Sequence, residues 1–296
     1  MMNTQASKLE QMLENGESER IIESQNPRSS KFIAITSGKG GVGKSTISAN
    51  LAYTLTKMGY KVGVFDADIG LANLDLIFGV RTKKNILHVF KGEASFDDII
   101  YQVDKNLYLI PGDSGDEILK YADRMNIIDE FAAQSMIIQA LDYVIVDTGA
   151  GIGQITQAFL NASDVMIVIT TPDPAAITDA YATIKINSKI KEEILMIINM
   201  ASRPQEAENI FNKIKKVSDK NLDPLKLFYL GHFIAHSSIK SATRYRELIT
   251  RAEPYNNFTL NMDEVAKRLV TKVEHNMLYS EKQTIGGFFK RMLSYL

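Results

Sequence analysis

The chain is predicted to adopt an α/β fold, a doubly wound and mainly parallel sheet with helices on both faces. Two observations carry the prediction. Short apolar, β-prone runs alternate with helix-like segments from residue 31 to 278, the pattern of repeated strand–helix–strand units. The first unit is joined by a glycine-rich loop, Gly38-Lys39-Gly40-Gly41-Val42-Gly43-Lys44-Ser45-Thr46. An apolar run, Lys31–Thr36, precedes this loop, and Ile47, Leu51, Leu55 and Met58 follow it at helical spacing until Gly59. Strands are expected at Phe32–Thr36, Lys61–Phe65, Leu107–Ile110, Tyr143–Val146, Val165–Thr170, Ile194–Ile198 and Leu227–Leu230. A long helix near the end of this domain carries Met262, Val265, Leu269, Val273 and Met277, mostly as a core-facing stripe. The chain divides into an arm and linker at 1–30, the α/β domain at 31–278, and a connector with a final helix at 279–296.

Composition narrows the classes. With 45% hydrophobic and 23% charged residues over 296 positions, one large globular domain with appendages is expected. A net charge of −1 provides no long-range field that would draw in nucleic acid. No apolar run approaches the ~18–20 residues of a membrane-spanning helix, and the polar N-terminus lacks a signal-peptide core, so a cytoplasmic location is expected. There is no cysteine, which excludes disulfides, zinc–thiolate sites and iron–sulfur clusters.

The loop at 38–46 has the chemistry of a phosphate cradle. Its glycines let backbone N–H groups converge on phosphate oxygens, and the helix N-terminus adds its positive end. Lys44 is placed to reach the β- and γ-phosphates, and Ser45 offers a hydroxyl to Mg²⁺. Two acidic motifs follow. In Val64-Phe65-Asp66-Ala67-Asp68 the carboxylates are two residues apart on an extended chain, so both lie on one face. Asp66 is assigned to magnesium and Asp68 to the attacking water. In Asp142-Tyr143-Val144-Ile145-Val146-Asp147 a buried parallel strand ends in an acid, and Asp147 is assigned to Mg²⁺ through water.

Together these motifs resemble the deviant Walker A motif and its companions in the MinD/ParA ATPases, P-loop NTPases of the SIMIBI class. The resemblance covers residues 31–296. It implies that the chain binds ATP with Mg²⁺ through residues 38–46, hydrolyses it, and forms a face-to-face homodimer with ATP. It implies that Lys39, just after the first glycine, reaches the nucleotide of the other subunit. Asn73 matches the asparagine downstream of the two aspartates, and Asn199 the position that reads adenine. Two departures stand out. Gly149 replaces a proline found in many relatives, and Gly231-His232-Phe233-Ile234-Ala235-His236 lacks the usual Pro-x-Asp.

The ends resemble specialised parts of that family. Ile285, Phe288, Phe289, Met292 and Leu296 fall at i, i+3, i+4, i+7 and i+11, with Leu293 between the last two and Lys290 and Arg291 off the stripe. This is an amphipathic helix suited to anionic headgroups, and it resembles the membrane-targeting tail of MinD. A helix packed on the protein's own surface is the plain alternative. At the other end, Gln5, Ala6 and Leu9 resemble the GTPase-activating segment of the flagellar FlhG branch (also called FleN or YlxH). Thr4 and Glu10 depart from its acidic and basic positions. The run Thr170–Tyr181 and the form Asp147-Thr148-Gly149-Ala150-Gly151 also resemble that branch. The resemblance implies a switch controlling flagellar number or placement, peripheral on the inner face of the cell membrane when ATP-bound. Its implied partners are an FlhF-type GTPase, flagellar switch-complex proteins and a flagellar transcription activator. A division-site MinD and a ParA-type DNA-partition ATPase are the rivals. The first has no arm of this length, and the second needs a basic surface. Lys213, Lys215, Lys216 and Lys220 read better as a solvated helix face, so DNA is not an expected partner.

Overall fold

Eight strands form one sheet in the order β3-β4-β2-β5-β1-β6-β7-β8. They are β1 (Lys31–Thr36), β2 (Val62–Ala67), β3 (Tyr101–Asp104), β4 (Leu107–Ile110), β5 (Tyr143–Thr148), β6 (Val165–Thr170), β7 (Glu193–Ala201) and β8 (Lys226–Ile234). Every pairing is parallel except β3 with β4. The computed structural model describes residues 30–68, 73–113, 135–222, 224–276 and 284–296. The arm with Gln5, Ala6 and Leu9 lies outside the described residues, as do 69–72 and Met277.

Helices cover both faces: α1 (Lys44–Lys57), α2 (Leu74–Phe78), α3 (Ile86–Lys91), α4 (Met136–Gln139), α5 (Gln154–Ala162), α6 (Pro174–Asn187), α7 (Pro204–Asn221), α8 (Ser237–Arg244), α9 (Ile249–Ala252), α10 (Asn257–Asn276) and α11 (Ile285–Ser294). Strands β1, β2 and β5 are buried along their whole length, which is why they read as continuous apolar runs. Successive side chains feed two cores. Phe32 and Ala34 point to the layer with α5, α6, α7 and α11, and Ile33 and Ile35 to the layer with α1 and α10. On α10 the expected stripe is buried at Met262, Val265, Leu269 and Val273. On α7 the buried face is Ala207, Ile210, Phe211, Ile214 and Ser218, and Lys215 pairs with Asp219 at 2.9 Å on the solvent side.

Seven strands occur where the sequence places them. The eighth, β3, is an antiparallel edge strand of four half-exposed residues, Tyr-Gln-Val-Asp, too short and too polar to stand out. It joins β4 by a tight turn in which Asn106 takes a left-handed conformation (φ 65°), one that asparagine tolerates.

The final helix is docked on the protein's own surface, the alternative that the sequence left beside a membrane-targeting tail. Ile285, Phe288, Phe289 and Met292 are buried in the α5-side core, with Leu293 and Leu296 packed against it. Phe288 stacks on Phe32 with ring centroids 4.3 Å apart, and Phe289 meets Phe65 and Phe90 edge-on at 5.4 and 5.8 Å. Arg291 faces the protein as well. Its guanidinium donates to the Ala162 carbonyl at 2.7 Å and pairs with Asp164 at 3.7 Å, a cation at the C-terminal end of α5. Lys290 and Arg291 both remain exposed, but only Lys290 is without a contact to the protein among the described residues. Side-chain shape explains the docking: a stripe of flat aromatic rings fits a sheet face already rich in phenylalanine.

Truncating Phe288 to Ala should therefore cost about 3–5 kcal/mol of folding stability, the range for a fully buried aromatic. Chemical denaturation would measure it. A loss under about 1 kcal/mol would mean that the helix adds little to the core.

Candidate nucleotide site

Strand β1 ends at Thr36 and α1 begins at Lys44, so the glycine-rich loop crosses the C-terminal edge of the sheet. Strands β2 and β5 end at the same edge, where open α/β sheets hold their ligands. Gly43 precedes the helix in a left-handed conformation (φ 93°), and a Cβ there would strike the Asn199 side-chain amide. Gly38 is needed for a different reason: a Cβ would overlap the backbone of Asp179 on α6. Lys44 is buried behind the loop, whereas Gly40 and Gly41 are exposed and free to meet a ligand.

The acids meet because of strand register. Asp66 on β2 lies directly opposite Asp147 on β5. Asp147 is fully buried; its Oδ1 accepts from the Ser48 hydroxyl at 2.9 Å, and its Oδ2 has no partner among the described residues. Burial pushes the Asp147 carboxyl up to about 7, opposed first by a hydrogen bond from Ser45. Asp66 is also pushed up, to about 6, by burial, although the backbone N–H groups of Leu74, Asp68 and Asn73 donate to it. Asp68, half-buried, is raised by burial and drawn back by the Lys44 charge. These are hard oxygen donors with a spare buried lone pair, and they fit Mg²⁺. Among the described residues no group of three or more acidic, cysteine or histidine side chains forms a cage, so Asp66 and Asp147 would hold Mg²⁺ together with nucleotide phosphates and water.

Each expected residue can now be placed. A single cleft of 1190 Å³ is lined by Gly40, Gly41, Gly43, Lys44, Ser45, Thr46, Asp68 and Asn73. Val42 is buried and gives its carbonyl to Asn199 Nδ2 at 2.8 Å. Asn199 thus holds the loop in shape, and its Oδ1 and second amide N–H remain for a base. Asn73 donates its backbone N–H to Asp66 and has a buried Oδ1 without a partner among the described residues. Gly149 lies where a Cβ would come 3.2 Å from Asp68 Oδ1, so the glycine gives that carboxylate room. Lys39 is drawn toward its own chain, pairing with Asp173 at 3.2 Å. Asp173 also caps α6, accepting from the Ala176 N–H at 2.9 Å, and that bond and Lys39 hold its carboxyl below the usual range. Both partners are half-exposed, so water and salt open the pair readily.

Sequence reasoning missed Ser48, which lies one turn after Ser45 on the same face of α1 and could have been found by that spacing. It also missed Met200, Arg244 and Arg246, which line the cleft from outside any motif.

A loop that presents its backbone to phosphates, above two buried strand-end acids with a spare oxygen, defines a P-loop nucleoside triphosphatase. The Mg²⁺ would neutralise charge developing on the phosphates. Lys44 would supply a fixed cation for the phosphate chain, and Asp68 would accept a hydrogen bond from a water in line with it.

The ParA family profile, described as NUBPL iron-transfer P-loop NTPase, matches residues 28–270. The chain belongs to this family, the ParA/MinD P-loop NTPases, and is an ATPase. Without a cysteine it has no thiolate to carry iron. It is 52% identical to the flagellum site-determining protein YlxH of Helicobacter pylori, over 100% of both chains. It is 34% identical to the antiactivator FleN of Pseudomonas aeruginosa, covering 81% of this chain and 86% of FleN. Among solved structures it is similar to the MinD cell division protein of Aquifex aeolicus, with a TM-score of 0.66 at 25% identity, covering 82% of this chain and 97% of that one.

The spare oxygen leads to a measurable outcome. The folded-state value of Asp147 lies above its ordinary one, so its contribution to stability is full below about pH 4 and is lost as pH rises through about 7. At pH 8, without metal, Asp147→Asn should raise stability by about 1–3 kcal/mol, the cost of an unpaired buried polar group. The same variant should lose the extra thermal shift that Mg²⁺ adds to ADP. Melting curves with ADP, with and without Mg²⁺, test both, and an unchanged Mg²⁺ response would take Asp147 out of the metal site.

Proposed function

We propose that this ATPase is a location switch controlling flagellar number or placement. The observation that carries the reading is full-length identity of 52% to a flagellum site-determining protein, supported by the match to FleN. ATP binding assembles a homodimer across the face that presents Lys39, which leaves Asp173 to reach the partner's nucleotide. The dimer attaches to the inner face of the membrane, and hydrolysis through Asp68 releases it. Gln5, Ala6 and Leu9 of the arm stimulate an FlhF-type GTPase, and the switch also engages flagellar switch-complex proteins and a flagellar transcription activator. Asn199 Oδ1 accepts from the adenine amino group.

For the tail, the docked stripe supports a helix with two positions. Docked, it completes the core; released, Ile285, Phe288, Phe289, Met292, Leu293 and Leu296 enter the headgroup region while Lys290 and Arg291 meet anionic lipid. Helix α5 connects the two events. Thr156 in its first turn lines the nucleotide cleft, and the helix packs against α11, where Gln154 donates to the Leu296 carbonyl at 3.1 Å.

Expression of this chain in a Helicobacter pylori strain lacking its flagellum site-determining protein tests the function. The wild-type chain should restore normal flagellar number by electron microscopy, and Asp68→Ala should not. Failure of both to change the count would sink the flagellar reading. For the tail, the cysteine-free chain accepts a single environment-sensitive label at Ser294→Cys. Its emission should change with ATP and anionic vesicles together and not with ADP, and Asp68→Ala should hold the changed state. Emission that ignores nucleotide would mean that α11 stays docked.

A further inference from the structure

Helix α8 ends in a turn whose backbone is well determined by hydrogen bonds. Tyr245 N–H donates to the carbonyls of Ser241 and Ala242, and Glu247 N–H donates back to Ala242 at 2.9 Å. This is a helix end closed by one left-handed residue, and that residue is Arg246 (φ 58°). Glycine is the residue that such a position favours, because any Cβ strains it. Among the described residues only three non-glycines have positive φ. Asn106 is a tolerated type in a hairpin turn. The other two, Met200 (φ 57°) and Arg246, both line the nucleotide cleft. Strained backbone concentrated at a ligand cleft is a reason to ask what the side chains do there.

The charges sharpen the question. Arg244 lines the same cleft as Arg246, and among the described residues neither guanidinium has a hydrogen-bond or ion-pair partner. Arg251, a few residues on, pairs with Asp104 at 3.5 Å. The one carboxylate lining the cleft, Asp68, is served by Lys44. Two unpaired guanidiniums thus border a space whose other wall is the backbone of a phosphate loop. Phosphate oxygens are the acceptors that a planar guanidinium fits with two parallel hydrogen bonds.

We propose that Arg246 and Arg244 are nucleotide-binding residues that clamp the phosphate chain from a wall the P-loop does not supply. The assignment rests on the cleft being the nucleotide site and is independent of the flagellar reading. The structural alternative is that Arg246 only packs: it also borders a second cavity of 370 Å³ with Ile77, Phe78 and Val103.

Arg246→Gly separates the two, because glycine relieves the backbone while removing the charge. Its melting temperature without nucleotide should equal or exceed that of the wild type. Its affinity for ADP by titration calorimetry should fall about tenfold, the scale of one charge-assisted contact. Adenosine affinity should not change, and the salt dependence of ADP binding should weaken. Arg244→Ala should lower ADP affinity in the same way. Arg246→Asn, which also tolerates the left-handed backbone, repeats the measurement if the glycine variant does not fold. ADP affinity within twofold of wild type in both arginine variants would overturn the proposal, as would an equal loss for ADP and adenosine. Wild-type chain that does not bind ADP would remove the nucleotide site itself.

Discussion

The parallel register of β2 against β5 is the constraint on which the site depends. It sets Asp66 opposite Asp147 at the edge that the phosphate loop crosses. A slip of one residue would turn a carboxylate into a hydrophobic layer and bring Phe65 or Ala67 on β2, or Val146 or Thr148 on β5, into its place. The register is held by burial on both faces, since Val64 and Phe65, like Ile145 and Val146, fill opposite cores. Packing far from the nucleotide thus sets the spacing of the acids, and Ser48 from α1 fixes the orientation of one of them.

This arrangement stores an imbalance. Among the described residues, two carboxylates are withdrawn from water with a single lysine, Lys44, buried nearby, and one oxygen is left without a partner. A cation and a polyphosphate would satisfy the charges on both sides of the loop at once. The same logic covers Lys39. Its pair with Asp173 is solvated and weak, so the lysine is available to a more negative partner.

Much of this was legible in the sequence because the relevant signals are local. The glycines of 38–46, the acid pair at Asp66 and Asp68 and the apolar run into Asp147 each declare themselves within a dozen residues. Seven of the eight strands did so for the same reason. What stayed hidden depends on contacts between distant segments. The fate of the stripe on α11 could not be read from its periodicity, since a helix that meets lipid and one that meets Phe32 and Phe65 present the same pattern. Asn199 was found by resemblance, but its hold on Val42 is a tertiary fact. Arg246 was invisible because nothing in Thr243-Arg244-Tyr245-Arg246 marks a left-handed residue.

The stacking of Phe288 on Phe32 joins the first strand to the last helix described, and this bears on how the molecule is made. During synthesis β1 appears first and α11 after every other described element, so the layer between them stays open while the sheet is assembling. Phe32, Phe65, Phe90 and Phe159 then form an apolar trough with no cover, the kind of surface on which nascent chains associate wrongly. A transcript cut short before codon 285 would make that condition permanent. Quality control could then recognise an incomplete copy by its uncovered rings, long before any defect in its phosphate chemistry showed.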